Sequence, residues 1–424
     1  MKDFARQVRL VLVGMATVLC AWATHAKSPE SDLDVLHWWT SNSERWAANT
    51  LAMHFAYSDV HWMDAAIPGG GGMAAVKVLK SRVLMGDPPD VAQLIGATLT
   101  DWADVHLVLP LNTVAQREHW NQRLFPTVMQ LITYKGNVIA APLGIHRINT
   151  LLYNRHLFQR IGMEPPKTWA QFEIVSKKFK DLGVRPLAWS DEPWQIATVF
   201  ESVLLGEVGP EMYNDLIVRR QAESWTDQRV TRALLRLRWL RQIASDTPKE
   251  RAWSKSAFDV LQGDAAMLIM GDWAKGELMA WGANSEQDFG CAAVPGTQRM
   301  HLYSIDTLAM LMSKRHRQKA QETVAQIIVN TDVQLDYNRV KGSVPVLNDI
   351  DAAKLDQCAS DSWTTFANPR NARVPSLAHR MAADENIKDA VAQALWRYLV
   401  NPQGDTADLQ RRLASIMRTP LLLR

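Results

Sequence analysis

Apolar and polar positions alternate along the chain with two periods, one typical of strands and one typical of helices. An apolar run from Leu33 to Leu36 is followed by Arg45 to Ser58, where apolar residues recur near helical spacing. His61 to Ile67 is then strand-like, Met73 to Met85 is helical, and Asp90 to Ile95 is strand-like again. Strands that alternate with helices indicate a parallel sheet, so the pattern predicts an α/β fold.

The later part of the chain continues this alternation, with more helix in its middle. Thr168 predicts the cap of a helix that runs to Leu182, and the stretch from Pro193 to about Ser285 is mostly helical. Apolar runs at Ala266 to Met270 and at Leu302 to Met312 predict further strands. Because 424 residues are too many for one ordinary core, we expect two or three structural units.

Two adjacent tryptophans, Trp38 and Trp39, mark the end of the first predicted strand. Neighbouring side chains at a strand end point in different directions, so we expect one of the two indoles to face a cavity. An indole face close to polar groups such as Glu44 suits a ligand with apolar faces and polar edges, as a sugar ring has. The alternative is that both tryptophans are core residues.

Tryptophan is the outlier of the composition, with 17 copies against 7 tyrosines. The apolar content of 47% and the charged content of 21% are ordinary for a globular protein. The net charge is +3 and no long basic cluster occurs, so we expect no nucleic-acid partner. Most of the indoles must serve the core, and the rest are available to stack on a ligand.

The N-terminal segment has the pattern of a signal peptide. Basic residues at positions 2, 6 and 9 accompany an apolar stretch from Val8 to Leu19, and small-x-small cleavage sites end at Ala23 and Ala26. We therefore expect residues 1–26 to be removed and the mature chain to be exported. The two cysteines that remain, Cys291 and Cys358, then favour one disulfide, with two buried free thiols as the alternative.

Motifs for catalysis, metal ligands or nucleotide phosphates do not occur, so no catalytic residue, metal or cofactor is predicted. What recurs is a mixture of aromatic, charged and planar polar residues near the ends of predicted elements. Stacking rings combined with donors and acceptors suit a polyhydroxyl ligand. The candidate ligand-binding residues are Trp38, Trp39, Glu44, Gln93, His146, Trp194, Asp272, Trp273, Asp306, Lys341 and His379.

Several motifs follow one another in an order that resembles a known family, the extracellular solute-binding proteins of ABC importers. They are HWWTS from His37, GDPPDVAQ from Gly86, APLGIHRIN from Ala141, MGDWAKGE from Met270 and VPSLAHRMA from Val374. Within the sugar-binding family 1, the chain is most similar to bacterial glucose/mannose-type binding proteins.

The resemblance implies a two-lobe periplasmic-binding-protein fold of type II, with the ligand in a cleft between lobes that hinge crossings join. Each lobe is then discontinuous in sequence. Residues 27–143 and 304–343 form the first lobe, and residues 144–303 and 344–424 form the second. A disulfide between Cys291 and Cys358 is compatible with this family.

The resemblance also implies a function. The protein is expected to be a periplasmic, monomeric binding protein without enzymatic activity, which captures a monosaccharide and delivers it to ABC permease subunits. One departure concerns Ile95, which stands where the glucose-type pattern has a lysine. Loss of that donor leaves the identity of the sugar open. The alternatives are an exported enzyme that acts on glycosides and a sugar sensor without a transport role.

Overall fold

The structure is a computed structural model, which describes residues 31–68, 72–244 and 252–419. The expected signal peptide, residues 1–26, lies outside the described residues. Within them the chain is a mixed α/β structure with two sheets of six and four strands and a separate two-stranded hairpin. The alternation of strand and helix that the sequence predicts is confirmed.

The strands are short, and several central ones are buried along their whole length. They lie at β1 Asp32–His37, β2 His61–Ala66, β3 Val91–Gln93, β4 Thr133–Tyr134, β5 Asn137–Val138, β6 Ala141–Arg147, β7 Thr150–Asn154, β8 Arg185–Leu187, β9 Ala265–Met270, β10 Phe289–Ala293, β11 Met300–Met310 and β12 Ala372–Pro375. The larger sheet has the order β12-β11-β3-β1-β2, with β6 also paired to β11, and the smaller sheet has the order β10-β7-β9-β8.

Helices cover the sheets. They are α1 Asn42–Ala56, α2 Met73–Leu84, α3 Ala97–Asp104, α4 Asn112–Arg117, α5 Trp120–Arg123, α6 Pro126–Ile132, α7 Arg155–Ile161, α8 Trp169–Asp181, α9 Pro193–Tyr213, α10 Gln228–Ile243, α11 Trp253–Gln262, α12 Trp273–Ala280, α13 Gln318–Ile328, α14 Thr331–Lys341, α15 Gln357–Ala367, α16 Glu385–Val400 and α17 Thr406–Arg418. Thr168 caps α8 through its hydroxyl, as predicted. Among the described residues, no helix has the length and apolarity needed to span a membrane.

Two separate hydrophobic cores form around the two sheets. The first core packs α1 and its neighbours against β1, β3 and one end of β6 and β11. The second core surrounds β7 and β9, both buried along their whole length, with the long helix α9 and the C-terminal helices. Burial of each large aliphatic side chain contributes roughly 1.5–3 kcal/mol, so each core holds its own sheet together. Two cores on two sheets agree with the expected two-lobe architecture.

Two strands cross from one core to the other side by side. Ile145 of β6 lies in the first core and Ile148, just after it, lies in the second. On β11, Leu302 belongs to the second core and Ile305 to the first. The antiparallel pairing of β6 with β11 places Ser304 opposite His146 between these points. The junction of the cores is therefore a pair of hydrogen-bonded strands rather than a loose linker.

The segment after α14 packs in the first core. The lobe bounds implied by the family resemblance put residues from 344 onward in the second lobe, whereas Val344, Val346 and Leu347 are buried in the first core. The cause is a pair of backbone hydrogen bonds. The N–H of Val344 donates to the carbonyl of Ile145 at 2.9 Å, and the N–H of Ile145 donates to the carbonyl of Val344 at 2.8 Å. Beyond Val344, Cys358 is the next residue that is buried in the second core.

Helix α15 contacts both cores, and a disulfide ties it to the second. Cys358 on α15 is bonded to Cys291 on β10, which confirms the predicted bridge. Ala359 and Phe366 of the same helix are buried in the first core. The bridge therefore fixes a helix at the junction of the two cores.

Loss of this disulfide should destabilise the protein. The bridge closes a loop with a sequence separation of 67 residues, and the chain-entropy estimate for such a loop is about 4 kcal/mol. We expect the double variant Cys291→Ala/Cys358→Ala to lose about that free energy of unfolding in a guanidinium titration. A loss below about 1 kcal/mol would contradict a stabilising role of the bridge.

A buried carboxylate holds the loop after β12 against α9. Glu201 of α9 accepts hydrogen bonds from the Ser376 hydroxyl at 2.6 Å, the Leu377 N–H at 2.7 Å and the Ala378 N–H at 3.3 Å. The Tyr213 hydroxyl donates a fourth at 3.0 Å. Burial raises the pKa of Glu201 to about 7, although these donors act in the opposite direction.

The raised pKa of Glu201 predicts a pH dependence of stability. The folded protein holds this proton more tightly than the unfolded chain, whose value is near 4.5. Protonation therefore stabilises the fold below pH 4.5, and this contribution is lost as the pH rises through 7, by about 3 kcal/mol in total. As the pH rises from 4.5 to 7, the unfolding free energy of wild type should fall relative to that of Glu201→Gln. Urea titrations at several pH values give the unfolding free energy of both proteins. A constant difference between wild type and Glu201→Gln across this pH range would refute the prediction.

Candidate functional site

A cavity of about 240 Å³ lies between the two cores, at the ends of strands and helices from both. Open α/β sheets commonly bind ligands outside the carboxyl ends of their strands. The residues that line the cavity are Trp38, Thr40, Glu44, Ile95, His146, Glu192, Trp194, Ala252, Trp253, Trp273, Ser304, Asp306, Lys341 and His379.

Trp38 forms the wall of the cavity that belongs to the first core. It follows β1 directly, and its backbone N–H donates to the side-chain oxygen of Gln93 at 3.3 Å. Gly72 lies against the indole with φ of +77°, and a Cβ atom there would come within 2.7 Å of the ring. The guanidinium of Arg380 lies 5.5 Å from the centre of the ring. Glycine is thus required beside Trp38 both by the backbone conformation and by the close contact.

Glu44 connects the start of α1 to the cavity. One of its carboxylate oxygens accepts from the backbone N–H groups of Thr40 and Ser41, each at 3.1 Å. The Ser41 hydroxyl accepts in turn from the Glu44 N–H, so the two residues form a capping box. The other carboxylate oxygen of Glu44 lies 3.4 Å from Nζ of Lys341, at the end of α14. The cavity therefore contains a carboxylate and an ammonium group whose positions are fixed by two helix ends.

Three buried charged groups lie where β6, β11 and α12 meet. Nδ1 of His146 is 2.5 Å from Asp272, and its Nε2 is 3.4 Å from Asp306. Burial opposes protonation of His146, but the carboxylates outweigh it and raise its pKa above the ordinary value. Burial likewise favours the neutral form of Asp306, yet the hydrogen bond and charge of His146 lower the pKa of Asp306. Asp306 is therefore an ionised acceptor at the cavity surface.

The wall that belongs to the second core is aromatic. The ring centres of Trp273 and His379 are 4.9 Å apart, and those of Trp273 and Trp194 are 6.3 Å apart. Nε1 of Trp194 donates to Glu192 at 2.5 Å, which orients the indole at the start of α9. Burial lowers the pKa of His379 to about 3, so its imidazole is neutral, and its Nε2 lies 3.2 Å from the Thr198 hydroxyl.

Eight of the eleven predicted site residues line this cavity, and three do not. Trp39 is fully buried and packs against His37 and Tyr337, because its side chain leaves the backbone on the side opposite to Trp38. Gln93 is buried behind Trp38, and its side-chain oxygen accepts a hydrogen bond from the Trp38 backbone N–H. Asp272 is buried behind His146 and accepts from the Arg147 N–H at 2.8 Å. These three side chains therefore lie behind the cavity rather than on its wall, and their part in ligand binding stays a prediction.

The cavity also contains residues that the sequence did not single out as contacts. They are Thr40, Glu192, Ala252, Trp253 and Ser304, together with Ile95, which was noted only as a departure from the family pattern. Glu192 directly precedes the Pro193-Trp194 pair, so its acidic group could have been suspected. Trp253 starts a helix in a stretch with no local signal for a site.

The arrangement can bind a neutral polyhydroxyl molecule. It combines indole faces with fixed carboxylates, an ammonium group and a neutral imidazole, all of which can accept from or donate to hydroxyl groups. In the described parts of the chain, no cluster of three or more candidate metal ligands occurs.

Comparison with known proteins identifies the family. A sequence model of the bacterial extracellular solute-binding proteins matches residues 56–325. A probable sugar-binding periplasmic protein of Brucella melitensis is 31% identical over 411 residues, which cover 95% of this chain and 97% of the relative.

The structure of this chain is also similar to solved protein structures. The bacterial solute receptor AcbH has a TM-score of 0.76 at 18% identity, covering 91% of this chain and 97% of the receptor. Maltose-bound MalE3 of T. maritima has a TM-score of 0.72 at 17% identity, covering 91% of this chain and 98% of that protein. The chain therefore belongs to the bacterial extracellular solute-binding proteins of ABC importers, and within them to the sugar-binding periplasmic proteins.

Proposed function

We propose that the protein captures a single monosaccharide of the glucose or mannose type in this cavity and delivers it to the permease of an ABC importer. The observation that supports this best is the pair of facing walls, with Trp38 on one side and Trp194 and Trp273 on the other. A sugar ring between them would stack its C–H faces on the indoles. Its hydroxyl groups would bond to Glu44, Asp306 and the other polar groups at the rim.

The size and charge of the cavity narrow the class of ligand. Its volume of about 240 Å³ is below the range of roughly 300–1,000 Å³ typical for drug-sized ligands, which favours one ring over an oligosaccharide. Three carboxylates, from Glu44, Glu192 and Asp306, face Lys341 and His146. This excess of negative charge disfavours acidic sugars, because a further anion would be repelled in a partly buried site.

Ile95 affects specificity within that class. Its aliphatic side chain lines the cavity and offers no donor or acceptor. A sugar hydroxyl that faces it would lose a hydrogen bond, at a cost of roughly 1–3 kcal/mol. Among structural neighbours, AcbH is described with an exclusive preference for b-D-galactopyranose and MalE3 is bound to maltose, so the fold accommodates different sugars.

Binding would be coupled to closure of two lobes. We assign the described residues before His146 and those from Ile305 to Ile350 to the first lobe. Those from Ile148 to Leu302 and from Val374 onward form the second, with α15 in contact with both. The ligand gains its full set of contacts only when both walls are close, so its differential affinity favours the closed form. The permease would recognise that form, with the mature protein acting as a periplasmic monomer.

The enzymatic alternative requires a carboxylic acid with a raised pKa opposite a second carboxylate. In this cavity the pKa of Asp306 is lowered, and Glu44 is occupied by the capping box and Lys341. These contacts favour binding over glycoside cleavage. We expect no turnover of p-nitrophenyl glycosides, and steady release of nitrophenol by the purified protein would instead support the enzyme. A sensor without a transport role would bind the sugar, but deletion of its gene would leave uptake unchanged.

The direct test is calorimetric titration of the mature protein with a sugar panel. The panel contains glucose, mannose, galactose, xylose, arabinose, maltose and glucuronate. We expect saturable binding of one or more neutral monosaccharides with micromolar or tighter affinity, and no binding of glucuronate. Absence of binding across the monosaccharides would contradict the proposal.

Loss of one stacking wall should weaken this binding. We expect Trp273→Ala to reduce the affinity for the best monosaccharide about tenfold, since the stacking contact is worth on the order of 1.4 kcal/mol. Trp46→Ala is the matched control, because this indole on α1 is more than half exposed and does not line the cavity. Equal affinities of both variants and wild type would remove Trp273 from the binding site.

A further inference from the structure

Glu277 is a buried carboxylate of the second core that is bonded to a helix of the first. It lies on α12, whose Ala274 and Leu278 pack in the second core, and it is only 1% exposed. Its oxygens accept from the backbone N–H of Asn42 at 3.4 Å, the side-chain amide of Asn42 at 3.1 Å and the backbone N–H of Ser43 at 3.0 Å. These two residues form the first turn of α1, so the carboxylate bridges the cores.

The contact satisfies both partners. The first N–H groups of a helix have no partner within the helix and carry partial positive charge. At the start of α1, Ser41 accepts from the Glu44 N–H, and Glu277 accepts from the two N–H groups before it. A buried carboxylate without donors would be costly. Separation of α1 from α12 would therefore leave both the helix end and the carboxylate without their bonds until water reached them.

The same two helices, α1 and α12, also position the facing walls of the cavity. Trp38 and Thr40 lie in the short segment between β1 and α1, Glu44 lies in the first turn of α1, and Trp273 begins α12. A second close contact lies beside it, since a Cβ atom on Gly276 would come within 2.6 Å of the Lys341 carbonyl oxygen. The distance between the aromatic wall and the Glu44–Lys341 pair thus depends on how α12 packs against the first core.

We propose that Glu277 is a positioning residue for sugar binding, which holds the two walls at the separation that the ligand requires. This inference rests on the proposed sugar-binding function and deepens it. The bond between Glu277 and the start of α1 stabilises the arrangement seen in the structure, in which both walls line one cavity. Without it, a smaller fraction of the protein is competent to bind, and the apparent affinity falls in proportion.

The test uses two variants and a matched control. Glu277→Ala removes the carboxylate, and Asn42→Asp places a second negative charge opposite it at an exposed position. The control is Glu207→Ala, which removes a carboxylate of the second core that pairs with Arg236 at 2.7 Å. Calorimetric titration uses the panel sugar that wild type binds most tightly. We expect both variants to bind it at least tenfold more weakly, and the control to bind it within twofold of wild type.

A second measurement needs no ligand. Amide hydrogen exchange of Asn42 and Ser43 reports directly on the bond to Glu277 in the sugar-free protein. We expect faster exchange at these amides in Glu277→Ala than in Glu207→Ala, with unchanged exchange in β7 and β9. If wild type binds no sugar in the panel but this difference is seen, the proposed function fails and the bridge between the cores stands.

The inference itself is overturned by either of two results. One is sugar affinity within twofold of wild type in Glu277→Ala. The other is unchanged exchange at Asn42 and Ser43 in that variant. If Glu277→Ala does not fold, the same criteria apply to Asn42→Asp, because an acidic residue in the first turn of a helix is favourable for the helix itself.

Discussion

The antiparallel pairing of β6 with β11 is the constraint on which the rest of the structure depends. Both strands pass from one hydrophobic core to the other, and their mutual hydrogen bonds keep the backbone satisfied at the point where neither core covers it. Apolar residues such as Ile145 and Leu302 anchor the strands in different cores. The side chains of His146 and Ser304, and of Asp306 just beyond Ile305, line a cavity. The site exists because the strands are continuous across a gap in the apolar packing.

Polar groups in this gap are fixed by other parts of the protein before any ligand arrives. His146 is held between two carboxylates, and Glu44 is held by the first turn of its own helix and by Lys341. Ordering these groups costs conformational entropy during folding rather than during binding. The cavity therefore combines preset hydrogen-bonding groups with rigid indole faces, an arrangement suited to a ligand that carries many hydroxyl groups on a small ring.

Helix ends do much of the positioning. The cavity residues Glu44, Trp194 and Trp273 lie in the first turns of three helices, and Lys341 lies in the last turn of a fourth. Backbone groups at helix ends lack hydrogen-bond partners within the helix. Side chains from distant segments supply such partners, as Glu277 does for the start of α1. The requirement to satisfy helix ends thus links the two cores at the same place where the ligand cavity forms.

The sequence by itself determined the α/β class, the approximate positions of several strands and helices, a disulfide between the last two cysteines and eight of the cavity residues. These follow from local periodicity, residue counting and motif order, all of which can be read along the chain. The tertiary structure alone decided that Trp38 faces the cavity while Trp39 fills the core, and that Asp272 lies behind His146. It also decided that Val344 stays in the first core and that Glu277 reaches Asn42. Each of these depends on contacts between segments that are far apart in sequence, and Asn42 and Glu277, for example, are separated by 235 positions. Contacts between such distant segments leave no local periodic signal in the sequence.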